Sequence, residues 1–267
     1  MIMSDDGLAF ALAISALATF LFRVRDFIGP RIFGSFVLGR YHRPVTEERV
    51  FLFLDVLGST RFAEQHGNFA IQSYLNAIFS ELAFPVHRWG GSIDDYVGDM
   101  AIVSWTMGAG VRDAACLRCV FDFARMIEQD AERWAAQVGE VPRFRAALHC
   151  GSVVTAELGL ERRKITYFGD AVNIASRLEH LAKEVGASVL ASRDLLACLT
   201  VPNELELNDL GVRHIRGRVE PLGVVAIRAR PLSFHPEASD NPCENPTSFG
   251  ARATRRSIAI AVRNGSS

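Results

Sequence analysis

The chain has 267 residues, room for one or two domains. Its 29 Lys and Arg are balanced by 30 Asp and Glu, so the basic excess expected of a nucleic-acid-wrapping protein is missing. Apolar residues make up 49%, which excludes wholesale disorder, and five cysteines are too sparse for a disulfide scaffold at this length.

Residues 1–46 form the first zone. Gly7 to Phe22 carry no charge. As a helix this run reaches about 24 Å, and extension through Val24 with Arg23 and Arg25 snorkelling brings it closer to a ~30 Å hydrocarbon core. Asp5 and Asp6 precede the run, and Arg23, Arg25 and Arg31 follow it. That asymmetry predicts a membrane anchor with its N-terminus outside and the rest inside. A signal peptide would need a basic leading region, which is absent. Phe27 to Leu38, interrupted by Gly29, Pro30 and Gly34, reads as an interfacial or connecting segment.

Residues 47–230 read as the folded domain. Arg49 to Asp55 is an apolar run of strand length, suited to burial on both faces. Phe69 to Trp89 places Ile71, Tyr74, Leu75, Ile78, Phe79 and Leu82 at helical spacing, and Gly90-Gly91 ends it. Ser92–Val97 and Met100–Trp105 form a hairpin turning at Gly98-Asp99. A long second helix is expected from Val111 to about Val138, then a strand over Phe144–His149. The order β-α-β-β-α-β predicts an α+β fold: a ferredoxin-like antiparallel sheet with helices on one face. A strand near Val153, a helix over Ala171–Val185 and β segments up to Ile227 extend this core. Residues 231–267, rich in Pro, Ser and Asx at their start, read as a disordered tail.

Two constellations carry chemistry. Asp55 ends a buried strand, where an acid is costly without a cationic partner. The turn after it, Val56-Leu57-Gly58-Ser59-Thr60, offers backbone N–H groups to phosphate at a helix N-terminus. In a split β-α-β-β-α-β unit the first strand lies beside the hairpin, so Asp99 approaches Asp55. Alone, Asp55 reads as a helix cap and Asp99 as a turn residue. Together they suit Mg²⁺, which prefers oxygen ligands and keeps phosphate and water in its shell. In the second constellation, Asn173 and Arg177 are four apart on one helix face, placed to orient a sugar and clamp a phosphoryl group. An ordinary exposed polar face has the same spacing. Asp170 reads as that helix's N-cap.

Phe53-Leu-Asp-Val-Leu-Gly-Ser-Thr60, Gly90-Gly-Ser-Ile-Asp-Asp-Tyr-Val-Gly-Asp99, Leu148-His-Cys-Gly151 and Tyr167-Phe-Gly-Asp-Ala-Val-Asn-Ile-Ala-Ser-Arg-Leu-Glu179 together resemble the class III adenylate/guanylate cyclase catalytic domain, from about Arg49 to Ile227. The resemblance implies a head-to-tail homodimer with two sites at its interface, each using two Mg²⁺ or Mn²⁺ ions on ATP or GTP. Asp55 and Asp99 of one subunit would hold the metals. Asn173 and Arg177 would come from the other. Thr166 falls at a base-reading position, and Arg216 where a phosphate-binding Lys is usual. The expectation is an adenylate cyclase on the inner or plasma membrane, its catalytic domain cytoplasmic.

One departure bears on substrate choice. The second base-reading position, commonly Lys in adenylate cyclases, is Asp95. A carboxylate accepts from the N1–H and amine of guanine together, whereas adenine offers it only the N6 amine. Guanylate cyclisation, or a cyclase-fold module that binds nucleotide without turnover, is therefore the alternative; Asp95 facing solvent is the third. Cys116 and Cys119 read as helix packing, and His149 as a structural hydrogen-bonding residue.

Overall fold

The computed structural model describes residues 5–28, 44–159, 164–214 and 220–230. The expected connecting segment over Phe27–Leu38 lies mostly outside these residues, and the tail over 231–267 entirely so.

Helix α1 spans Asp5–Ile28. Ala and Leu dominate it, and both are strong helix formers. Among the described residues no helix is long and apolar enough to cross a membrane, which corrects the expected spanning anchor. The physical reason lies in the composition. The uncharged run is short, Ala9, Ala11, Ala13, Ala16 and Ala18 add little apolar surface, and Arg23, Arg25 and Asp26 occupy the helix's continuation.

The domain begins with β1 (Val45–Val56), α2 (Ser59–His66) and α3 (Asn68–Arg88). The hairpin follows as β2 (Ser92–Val97) and β3 (Met100–Thr106). The expected single helix over 111–138 is broken: α4 (Met107–Val111) ends where it should begin, a 3-10 turn spans Arg112–Ala114, and α5 (Ala115–Gln129) and α6 (Ala131–Val138) follow. The breaks have local causes. Asp113 and Ala114 take left-handed conformations (φ 51° and 52°) before α5. At the second break Asp130 leaves helical geometry (φ −101°, ψ 18°), and Trp134 beyond it meets Tyr74 edge-on at 6.4 Å.

Then come β4 (Phe144–Leu158), β5 (Lys164–Phe168), α7 (Asp170–Val185), β6 (Val189–Ser192), α8 (Arg193–Ala197), β7 (Leu205–Arg213) and β8 (Leu222–Ala229). The strand expected near Val153 is the second half of β4. Sheet order is β2-β3-β1-β4-β6-β8-β7, with β5 paired to β4. Its first four strands are the ferredoxin-like arrangement.

The sheet is mixed rather than antiparallel, because β6 runs parallel to β4 after a crossover through α7. Helices therefore cover both faces, correcting the one-face expectation. Alternation along β1 makes this visible. Val50, Leu52, Leu54 and Val56 pack with α3 and α5. Phe51 and Phe53 point the other way, onto Ala171 and Ala175 of α7. Each buried Phe is worth about 1.5–3 kcal/mol, which fixes the strand's register and so the direction of Asp55 at its end.

Candidate active site

Asp55 stands at the last turn of the pleat in β1, opposite Met100 of β3 and Arg145 of β4. Because Met100 directly follows Asp99, the hairpin turn reaches the same corner of the sheet. The Val56 N–H donates to the Asp99 carbonyl at 3.0 Å, and the Ser59 hydroxyl donates to the Asp99 carboxylate. Burial raises the Asp55 carboxyl to about 6, and Asp99 and Glu179 push the same way. A carboxyl whose ionisation is opposed by burial and by a second carboxylate beside it fits a divalent cation. Among the described residues no three His, Cys, Asp or Glu gather into a metal cage. The remaining ligands would be phosphate and water, as Mg²⁺ favours.

The turn itself is divided in use. Val56 and Leu57 spend their N–H groups on the carbonyls of Asp99 and Arg143. Gly58 takes φ 81°, a left-handed turn that suits glycine, and opens α2. The first helical bond there runs from the Phe62 N–H to the Gly58 carbonyl at 2.9 Å. The N–H groups of Ser59, Thr60 and Arg61, on α2's first turn, have no intrahelical acceptor and remain for an anion.

Arg145 was not singled out in the sequence, yet it lies between two acids. Its Nη1 is 3.7 Å from Asp55 Oδ2 and 3.8 Å from Glu179 Oε1. Glu179 is buried on α7. Its sequence signal is an acid on the apolar stripe Ala175, Leu178, Ala182. Lys183, one turn further, also draws the Asp55 carboxyl down.

Asn173 and Arg177 lie on the N-terminal half of α7. Asn173 is exposed and Arg177 half-buried. The Arg177 Nη1 is buried without a hydrogen-bond partner, an open cationic donor. The charges that act most on Asp55 from this helix are Glu179 and Lys183, not Arg177. Asp170 is the first helical residue and Gly169 the cap, one position from expectation. A Cβ on Gly169 would sit 2.8 Å from the Ser152 carbonyl oxygen, so only glycine lets α7 start this close to β4.

Residues 43–227 match the adenylate and guanylate cyclase catalytic domain family. The chain belongs to that family. It is 49% identical over 233 residues to Adenylate cyclase 2 of Rhizobium meliloti (strain 1021), covering 87% of this chain and 64% of that protein. Adenylate cyclase of Anabaena cylindrica is 28% identical over 195 residues, covering 69% and 37%. The chain thus spans less than two thirds of these relatives. In fold it is similar to a bacterial light-regulated adenylyl cyclase (TM-score 0.70, 19% identity, 85% of this chain and 67% of that one). It is also similar to the guanylyl cyclase Cya2 (TM-score 0.60, 18% identity, 72% and 97%).

In this cyclase domain the remaining predicted residues lie on β5 and β2. Thr166 is half-buried on β5, paired with Ala156 of β4. Arg216 lies outside the described residues. Asp95 is not a lone carboxylate. Lys164, at the start of β5, makes an ion pair with its Oδ2, and its Oδ1 accepts from the Tyr96 N–H at 3.1 Å. A β-bulge between Ile93 and Asp95 turns the neighbouring Asp94 inward. Tyr167 donates to Asp94 at 3.2 Å, packs edge-on to Phe51, and lies under the Arg49 guanidinium at 4.8 Å. Burial raises the Asp94 carboxyl to about 6 despite these partners. This network ties β5 over the β1–β3–β2 face. Sequence reasoning missed it because its members come from three separate strands, β1, β2 and β5. His149 bonds Ser192 Oγ through Nδ1 at 2.8 Å, the structural role expected. Cys116 and Cys119 are buried in the α5 packing, and burial raises both thiols.

Proposed function

We propose that this chain is an adenylate cyclase that closes ATP to 3′,5′-cyclic AMP and pyrophosphate in a homodimer. The observation that carries the reading is a pair of complementary half-sites on separate parts of one chain. Asp55 and Asp99 form an acidic corner with Ser59. Arg177 holds out a buried donor with no partner of its own. A head-to-tail second copy would bring the two together. The name of the 49% identical relative supports ATP as substrate.

In this reading Asp55 and Asp99 would hold two Mg²⁺ or Mn²⁺ ions. Bound there, such ions supply Lewis acidity that lowers the pKa of the ribose 3′-hydroxyl and offsets phosphate charge. Arg145 keeps Asp55 oriented. The N–H groups at the start of α2 face the phosphates, with Arg216 as a further phosphate ligand. The partner's α7 presents Asn173 to the ribose and Arg177 to the α-phosphoryl oxygens as negative charge develops there. The 3′-oxygen bonds to the α-phosphorus as it loses its proton, and the bond to the β-phosphate oxygen breaks, releasing pyrophosphate. The domain would act where nucleoside triphosphate is held, in the cytoplasm.

Assaying the full chain with ATP and GTP in parallel, with Mg²⁺ and with Mn²⁺, tests this. Cyclic AMP is the expected product. Predominant cyclic GMP would favour the guanylate reading. Tight nucleotide binding with no product would favour a binding module.

A further inference from the structure

The position expected to read the base with a cation carries Asp95 instead, and the cation has moved to another strand. Lys164 of β5 reaches Asp95 of β2 across 69 residues of sequence. Lys164 lies two residues before Thr166 on the same strand, so residues 164 and 166 share a side of β5. Both members of the pair keep open valences. Their side chains are 52% and 39% exposed. The ammonium has three N–H donors and Asp95 occupies one. The Tyr96 N–H pins the other carboxylate oxygen from the backbone, which fixes the carboxylate's direction.

We propose that Lys164 and Asp95 together form the base-recognition pair, with Lys164 a specificity-determining residue. The proposal rests on the cyclase reading above. An ammonium held beside a carboxylate presents one donor and one acceptor side by side. That matches the edge of a 6-aminopurine, whose N1 accepts and whose N6 amine donates. Lys164 donates to N1, Asp95 accepts from N6, and Thr166 closes the edge. The charge of the acid is met by the Lys164 ammonium, whose donors suit the N1 acceptor of adenine and not the N1–H of guanine, so an acid at this position does not imply GTP.

An exposed ion pair of this kind adds little to stability, so its variants should fold. Lys164→Met should lower kcat/KM for ATP by about 10- to 100-fold, the range of one well-formed base contact. The sharper test uses 1-deaza-ATP, which lacks the N1 acceptor, and purine riboside triphosphate, which lacks the 6-amino group. Wild type should prefer ATP over each by about tenfold or more. Lys164→Met should lose the preference against 1-deaza-ATP alone. Asp95→Asn should weaken the preference against the des-amino nucleotide. The reversal Asp95→Lys with Lys164→Asp should recover ATP use lost in either reversed single variant. Unchanged nucleotide ratios in Lys164→Met would overturn the proposal and leave a structural surface pair. If wild type makes no cyclic AMP, the cyclase reading fails by itself. Displacement of a fluorescent ATP analogue by the same three nucleotides then decides the base pair through affinity.

Discussion

Asp55 carries an ionisation cost set by its surroundings. Its carboxyl is pushed from an ordinary 3.8 up to about 6, first by burial, then by Asp99 and Glu179, with Arg145 and Lys183 pulling back. Between those two pH values the folded protein holds a proton that the unfolded chain has released. Its contribution to stability is therefore fully present below the lower value and lost as pH rises through the upper one. Removing the charge with Asp55→Asn should raise the melting temperature of metal-free protein by a few degrees at pH 8 and little at pH 4. Excess Mg²⁺ should reverse the order at pH 8, since only wild type gains from binding. Thermal melts at both pH values, with and without Mg²⁺, measure this, and a variant no more stable than wild type in metal-free pH 8 buffer would contradict it. Arg145 makes a second prediction. Arg145→Met leaves Glu179 buried without its cation, a loss of about 3 kcal/mol. The melting temperature should fall, and more Mg²⁺ should be needed for half-maximal activity. A wild-type melt would mean that Glu179 is satisfied from elsewhere.

At the scale of elements, α7 decides where the second half-site stands. Its buried stripe of Ile174, Leu178 and Ala182 locks it on β4, β6 and β8, and Ala171 and Ala175 lock it on Phe51 and Phe53. Its start depends on Gly169. A methyl group there meets the Ser152 carbonyl oxygen at 2.8 Å and the Val153 Cα at 3.2 Å, backbone that has little room to yield. Gly169→Ala should cost about 1–3 kcal/mol as overpacking and shift the first turn of α7. Asn173 lies on that turn's continuation, so kcat should fall well beyond what the stability loss explains. Urea unfolding and turnover on the same protein separate the two effects; full activity in a destabilised variant would show that α7 tolerates the shift. Legibility differed sharply between helices. The apolar periodicity of α3 and the motif of α7 gave their spans to within a residue or so. The breaks around α5 were hidden, because Asp113 and Ala114 carry no left-handed signature in sequence, and Asp130 is compatible with a helix interior.

For the whole molecule the prediction concerns division of labour between subunits. Asp55→Ala and Arg177→Ala proteins should each be inactive, for in the proposed site one would lack a metal ligand and the other the phosphoryl clamp. Co-expressed and purified as a two-tag heterodimer, they should regain about half of wild-type activity, because one interface then carries both lesions and the other none. A verified heterodimer without activity would place all four residues in a single-chain site. Asp55 and Asp99 meet at one corner, where α7 presents Glu179 and Lys183, while Arg177 Nη1 stays unpartnered within its own chain.

Sequence by itself determined which candidate residues are present and on which elements. A strand buried on both faces ending in Asp55, a Gly-Asp hairpin, and Asn173 and Arg177 one turn apart follow from periodicity and spacing, which are local properties. It also placed Asp55 beside Asp99, since the ferredoxin-like order leaves the first strand next to the hairpin. It misjudged α1 because charge asymmetry argues orientation without supplying the apolar length a bilayer requires. Only tertiary structure decided the partners. Arg145 meets Asp55 through β-sheet register, Glu179 joins them through a helix crossover, and Lys164 finds Asp95 because β5 folds over a sheet edge reshaped by a bulge. Those contacts join residues tens of positions apart. Their charges attract at any separation in sequence, and the packed sheet alone selects which of them come within reach.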